Sequence, residues 1–157
     1  MAPVPRRPCT NLVAGRRPGS GPVLAILTDG PDDPAVAAHA ADLAARTGTL
    51  LIAAAAVVTG DGRGVGSPHR ARSRRINADT RAIVARVTPV LHRCGIAYMA
   101  TTLPIPDAVR VLPVSALHHL VNRFGAVAVV TAGPLHDPTG ALRPDPEQRP
   151  SRLGRLH

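Results

Sequence analysis

The chain has 157 residues, 19 of them basic and 10 acidic, and a formal net charge of +9. This length predicts a single domain, and a hydrophobic content of 45% excludes a wholly disordered protein. Aromatic residues make up only 1% of the chain, so the core has to be built from alanine, valine, leucine and isoleucine.

The first segment, residues 1–21, has several proline breaks and no hydrophobic period. Its charged residues are all basic: Arg6, Arg7, Arg16 and Arg17. Prolines and unbalanced charge without an apolar pattern are typical of disorder. We therefore predict a disordered basic arm over residues 1–21.

A strand, a helix and a second strand follow in close succession. Residues 22–28 form a continuous apolar run of the kind that a buried parallel strand needs. Asp32 or Asp33 followed by Pro34 is typical of a helix start, and Gly48 of a helix end. Residues 50–58 are again continuously apolar. Together these elements predict a right-handed βαβ unit with parallel strands.

The next helix is predicted from about Asn77 to Gly95, with a kink or break near Thr88 because Pro89 lies inside the pattern. Residues 96–103 resemble an edge strand, since threonines lie within the run and prolines follow it.

A further helix, predicted after Pro113, ends at Gly125. Residues 126–132 then form a fourth buried strand. From 134 to 157 the chain is proline-rich without a period, which predicts a disordered tail.

This order predicts an α/β domain over residues 22–133, a three-layer Rossmann-like sandwich. Its sheet is expected to be mostly parallel, with about four strands in the order 3-2-1-4 and flexible termini. Without a fifth strand, the segment from Ala126 to Ala132 would be an apolar edge open to pairing. We therefore predict a homodimer, or a strand-donating partner, at this edge.

Two stretches of the sequence carry a resemblance to a known family. They are VLAILTDGPDDPAVAAHAADLAARTGTLLIAAAAVV, from Val23 to Val58, and LVNRFGAVAVVTAG, from Leu120 to Gly133. A strand ending in Asp-Gly, an alanine-rich helix ending in Arg-Thr-Gly and a second apolar strand resemble the universal stress protein family. The resemblance implies a sheet in the order 3-2-1-4-5, a regulatory role in stress response without catalysis, and ATP or AMP as the ligand.

The resemblance also implies where the nucleotide would lie. Asp29 would stand beside the adenine, the backbone of Val57 or Val58 would help to hold the base, and Gly133 would open the phosphate motif Gly-x2-Gly-x9-Gly-Ser/Thr. The predicted site consists of Asp29, Gly30, Val58 and Gly133. That motif is not present, because His136 and Pro146 occupy its second and third positions. The chain therefore resembles a diverged or truncated member. Asp29 also has a simpler interpretation, as the turn before the helix.

A glycine-rich loop beyond the second strand offers a replacement for this motif. Glycines alternate from Gly60 to Gly66, and arginines lie among and after them. Backbone amides can wrap a phosphate where no side chain intervenes, and arginine donates to it in a bidentate manner. Arg63 is our candidate phosphate ligand; the alternative is a flexible solvated connection.

Other functional classes have less support from the residues. The seven histidines have no metal-ligand spacing, and the serines lie in no nucleophile motif, so we expect neither a metal site nor an enzyme. Two alternatives remain open: an arginine-rich protein that associates with RNA or DNA on a passive core, and a degenerate, non-binding scaffold that acts by dimerisation. No apolar run reaches membrane-helix length, and no signal-peptide pattern is present, so we expect a cytoplasmic protein without membrane contact.

Overall fold

The computed structural model describes residues 7–59, 69–106 and 112–146. Within these ranges, six strands and three helices follow one another along the chain: β1 (Cys9–Val13), β2 (Val23–Leu27), α1 (Asp33–Thr47), β3 (Leu51–Val58), α2 (His69–Cys94), β4 (Tyr98–Ile105), α3 (Val114–Phe124), β5 (Ala128–Thr131) and β6 (Leu142–Pro144).

The strands form one mixed sheet in the order β4-β3-β2-β5-β1-β6. The first four strands of this order are parallel to one another, whereas β1 runs antiparallel to both β5 and β6. The α/β class is confirmed. The expected sheet of four strands in the order 3-2-1-4 does not match the whole sheet, which continues for two strands beyond β5.

Both additional strands come from segments that the sequence predicts to be disordered. Cys9–Val13 of the basic arm form β1, and Leu142–Pro144 of the proline-rich tail form β6. The physical reason is the open side of β5, whose unpaired backbone groups β1 satisfies in a register that sets Thr10 opposite Val130. The remaining parts of those predictions, residues 1–6 and 147–157, lie outside the described residues.

The same pairing corrects the prediction of an open strand edge from Ala126 to Ala132. β5 lies inside the sheet between β2 and β1, so no partner strand can pair with it in this structure. The edges of the sheet are β4 and β6 instead. The predicted homodimer or strand-donating partner therefore has no open strand at this position to pair with.

The helices follow their local signals, with one correction. Gly48 and Gly125 end α1 and α3 in the left-handed conformation, with φ of 67° and 66°, as glycine allows. α2 begins at His69, eight residues before the predicted Asn77, and it continues through Pro89 without a break.

The sheet separates two apolar cores. On one face α1 and α2 pack against the sheet through residues such as Val36, Ala40, Val87 and Leu91. On the other face α3 does so through Leu117, Leu120 and Val121. This arrangement gives the three layers, helices on both sides of a central sheet. None of the helices among the described residues is long and apolar enough to cross a membrane.

Candidate functional site

The carboxyl edge of the parallel strands is where the predicted site residues meet. β2 lies between β3 and β5, so the order of the chain reverses at β2, the position at which open α/β sheets bind their ligands. Asp29 and Gly30 follow β2, Val58 ends β3, and Gly133 follows β5. The structure therefore brings these four residues to one edge of the sheet. Arg63, the fifth predicted residue, lies outside the described residues.

Asp29 has an unusual backbone and a partner that its sequence neighbourhood does not reveal. Its φ is 61°, the only positive value for a non-glycine residue among those described. Such a conformation costs on the order of 1 kcal/mol and is often kept at functional sites. Its Oδ1 accepts a hydrogen bond from Nη1 of Arg86 on α2, at 2.5 Å. The two side chains are 48% and 66% exposed, so a ligand can reach both.

Asp33 is a second acidic residue at this edge, but it is buried, with 2% of its surface exposed. Its Oδ1 accepts a hydrogen bond from the backbone N–H of Thr28 at 3.0 Å, and its Oδ2 has no partner among the described residues. Burial raises the pKa of this carboxyl, against the opposing effect of the backbone N–H groups of Thr28, Asp29 and Gly30. The carboxylate thus occupies backbone amides of the turn between β2 and α1 that would otherwise be available to a phosphate.

Gly30 and Val58 contribute differently. A Cβ built on Gly30 would lie 3.5 Å from Oγ1 of Thr28, an ordinary contact, so this glycine is not required by close packing. Val58 is 56% exposed although it ends an otherwise buried strand. An exposed valine at this edge offers apolar surface to the face of a base.

The described segment that follows β5 lacks one of the backbone N–H donors of a phosphate-binding loop. Oγ1 of Thr131 donates to the carbonyl oxygen of Gly133 at 2.7 Å, and the next residue is Pro134, which has no N–H to offer. Between Gly133 and residue 145 the described chain has no helix. The chain instead returns to form β6, so the described residues after β5 provide no α-helix start that could bind a polyphosphate.

Two histidines in the described part of the chain make side-chain contacts. His39 lies 2.8 Å from the hydroxyl of Thr10, which is 2% exposed and out of reach of a substrate. Burial, followed by the charge of Arg46, lowers the pKa of His39. His118 donates to Asp137 in the segment before β6. Among the described residues no group of three or more metal-ligating side chains is gathered.

A comparison with solved structures identifies the fold. A crystal structure of a protein from the universal stress protein family of Burkholderia pseudomallei is similar to this chain with a TM-score of 0.51 and 14% identity. The match covers 71% of this chain and 80% of that one. The chain has a universal-stress-protein-like fold.

The comparison also finds the crystal structure of a universal stress protein in complex with cAMP, with 21% identity and a TM-score of 0.46. It matches 71% of this chain and 75% of its own. No protein-family model matches the sequence, and no curated protein matches it either.

β1 lies where the resemblance implies a fifth strand. The resemblance implies a fifth strand beside the fourth, in the order 3-2-1-4-5. In this chain the place beside β5 is taken by β1, which comes first in the sequence and runs antiparallel. Asn11 of β1 is buried and donates from Nδ2 to the carbonyl oxygen of Val129 at 3.2 Å. This contact holds β1 against β5 next to the candidate site.

Proposed function

We propose that this chain is a universal-stress-like regulatory protein that binds AMP at the carboxyl edge of its sheet, without catalytic turnover. The observation that supports the proposal most directly is the pair formed by Asp29 and Arg86. Both groups are exposed and lie where the strand order reverses. A carboxylate can accept hydrogen bonds from hydroxyls, and a guanidinium can donate to a phosphate.

The pair is poorly explained as a stabilising contact. Both side chains are about half exposed or more, and exposed ion pairs contribute only about 0–1 kcal/mol. The backbone of Asp29 is also strained. Because the strained backbone of Asp29 supports only a weak ion pair, the arrangement favours a role in binding. In that role Asp29 accepts hydrogen bonds from the ribose hydroxyls, and Arg86 donates to the phosphate.

The surrounding charges favour a monophosphate over a triphosphate. Asp29, Asp32 and Asp33 cluster at the start of α1, and they repel additional negative charge. Pro134 follows Gly133 where amide donors would be needed. The guanidinium of Arg86 can pair with one phosphate group only. AMP is therefore expected to bind more tightly than ATP.

The proposal is tested by calorimetric titration of AMP and of ATP into the full chain. Asp29→Asn keeps the size of the side chain but removes its charge, and Arg86→Gln removes the cation. We expect AMP binding that is at least tenfold weaker in each variant, and ATP binding that is weaker than AMP binding in the unmodified chain.

The matched control is another exposed ion pair, Asp42 with Arg46 on α1, whose Nε–Oδ2 distance is 3.0 Å. Asp42→Asn and Arg46→Gln remove the same charges away from the site and should leave the AMP affinity unchanged. No heat with either nucleotide would overturn the proposal and favour the non-binding scaffold. Release of phosphate or adenine from bound nucleotide over hours would contradict the absence of turnover.

A further inference from the structure

The net positive charge of the chain is concentrated on one helix. α2 carries seven arginines and a single acid, Asp79, so it contributes +6 of the formal +9. The arginines of its first half are Arg70, Arg72, Arg74, Arg75 and Arg81, and all five side chains are exposed. This charge lies on a structured element, in addition to the +4 that residues 1–21 carry.

Three of these arginines follow one line along the helix surface. Arg70, Arg74 and Arg81 are separated by four and seven residues, which are close to one and two helical turns. They therefore lie within about 40° of one another around the axis and span about 16 Å along it. We call Arg70, Arg74 and Arg81 the arginine stripe of α2.

The described part of the chain does not neutralise the arginine stripe. None of its three guanidinium groups has an ion-pair partner within residues 7–59, 69–106 and 112–146. Arg70 also lies in the first turn of α2, where the helix dipole is positive and cations are unfavourable. Cations held against the dipole without a partner are stabilised by an external polyanion.

We propose that the arginine stripe of α2 binds the phosphate backbone of a nucleic acid duplex. Three cations in a row on a rigid helix match a ligand with closely and regularly spaced phosphates. The apolar face of α2, including Ile83, Val87 and Leu91, is buried in the protein core, so the helix has no apolar side to insert into a lipid surface.

The stripe contacts phosphates without reading bases. The whole chain contains one tyrosine and one phenylalanine, and neither lies on α2. Without aromatic side chains there is no stacking platform for unpaired bases. Binding is therefore independent of sequence, and a duplex binds at least as well as a single strand.

Fluorescence anisotropy with a labelled 20-base-pair duplex tests this inference on the full chain. Three phosphate contacts predict a slope of about −2.7 for log K against log salt, which is about a 40-fold loss between 50 and 200 mM. The triple variant Arg70→Gln, Arg74→Gln, Arg81→Gln should lose at least tenfold in affinity at 50 mM salt. Its salt slope should approach zero.

The control is a second triple variant, Arg17→Gln, Arg123→Gln, Arg143→Gln, which removes the same charge from exposed positions on other elements. It should retain the affinity and the slope of the unmodified chain. Equal losses of affinity in both variants would show that binding depends on net charge alone, and this result would overturn the inference. Tighter binding to vesicles that contain anionic lipid than to the duplex would also overturn it. Circular dichroism verifies that α2 persists in both variants.

Discussion

His118 of α3 and Asp137 of the segment before β6 are joined by a 2.9 Å contact between Nε2 and Oδ2. The same carboxylate accepts from the N–H and the hydroxyl of Thr139, at 3.0 and 2.7 Å, and from the N–H of Leu142 at 2.9 Å. One side chain therefore binds α3, the turn and the first residue of β6. This relationship orders a proline-rich segment that has no hydrophobic period.

Replacing Asp137 should release β6. Asp137→Ala removes four hydrogen bonds at once, so we expect a lower thermal midpoint and faster hydrogen exchange at Leu142 and Arg143. Asp42→Asn, which alters an exposed pair on α1, should leave both quantities unchanged. Unchanged exchange in Asp137→Ala would contradict this role.

The contribution of Asp137 should also depend on pH. Burial acts to raise the pKa of Asp137, but hydrogen bonds from Thr139, His118 and Leu142 hold it well below its usual range. A carboxyl whose pKa is lower in the folded state stabilises the protein above its unfolded pKa of about 4 and loses this effect at lower pH. The thermal midpoint should fall as the pH drops below about 4, and this fall should be shallower in Asp137→Ala.

Arg16 should stabilise the end of α3, although it lies in the predicted disordered arm. Its Nη1 donates to the carbonyl oxygens of Val121 at 3.1 Å and Ala126 at 2.7 Å, at the negative end of the helix dipole. Arg16→Ala should lower the free energy of unfolding in urea by about 1.5–3 kcal/mol. Arg17→Ala, its exposed neighbour, should change it by less than about 0.5 kcal/mol. Equal effects would show that the contact has no energetic weight.

Asp33 should destabilise the fold at neutral pH. Its pKa is raised in the folded state, mainly by burial, so the folded protein binds its proton more tightly than the unfolded chain does. Stability then decreases as the pH rises from the unfolded pKa of about 4 through the raised folded value. Asp33→Asn, which keeps an acceptor for Thr28, should raise the free energy of unfolding at pH 7. At pH 3 the gain should vanish; an equal change at both pH values would refute this explanation.

A side chain at position 21 should lower the free energy of unfolding, whereas one at position 30 should not. A Cβ on Gly21 would lie within van der Waals overlap of the carbonyl oxygen of Gly125, and both groups belong to backbone that cannot move freely. Gly21→Ala should therefore cost about 1–3 kcal/mol in a urea titration. Gly30→Ala meets only an ordinary contact with Thr28 and should be nearly neutral. A neutral Gly21→Ala would mean that the arm before β2 can shift.

The parts of the fold that depend on local signals were predictable from the sequence. The N-terminal Pro34 and the terminal Gly48 mark α1 within a few residues, and continuous apolar runs mark β2 and β3. β1 was not predictable in this way, because it contains the polar Thr10 and Asn11 and forms only by pairing with β5, more than 100 residues away.

The same division holds for the candidate site. Asp29 follows from the Asp-Gly turn after an apolar strand, but its partner Arg86 lies 57 residues later and has no local signal. Arg86 belongs to an exposed helix face with several other arginines, so only the packing of α2 beside α1 distinguishes it. Asp33 resembled an ordinary helix cap, and its burial became visible only in the structure.

Hydrogen–deuterium exchange with and without saturating AMP tests the central claim most directly, because it reports the place of binding as well as its existence. The account predicts slower exchange at residues 28–30 and at the residues around Arg86, and a smaller change in Asp29→Asn at the same AMP concentration. Protection elsewhere would contradict it, for example at the groove of about 340 Å³ that Leu12, Leu43 and Val127 line at the other end of the sheet. An unchanged exchange pattern at all sites would contradict it as well.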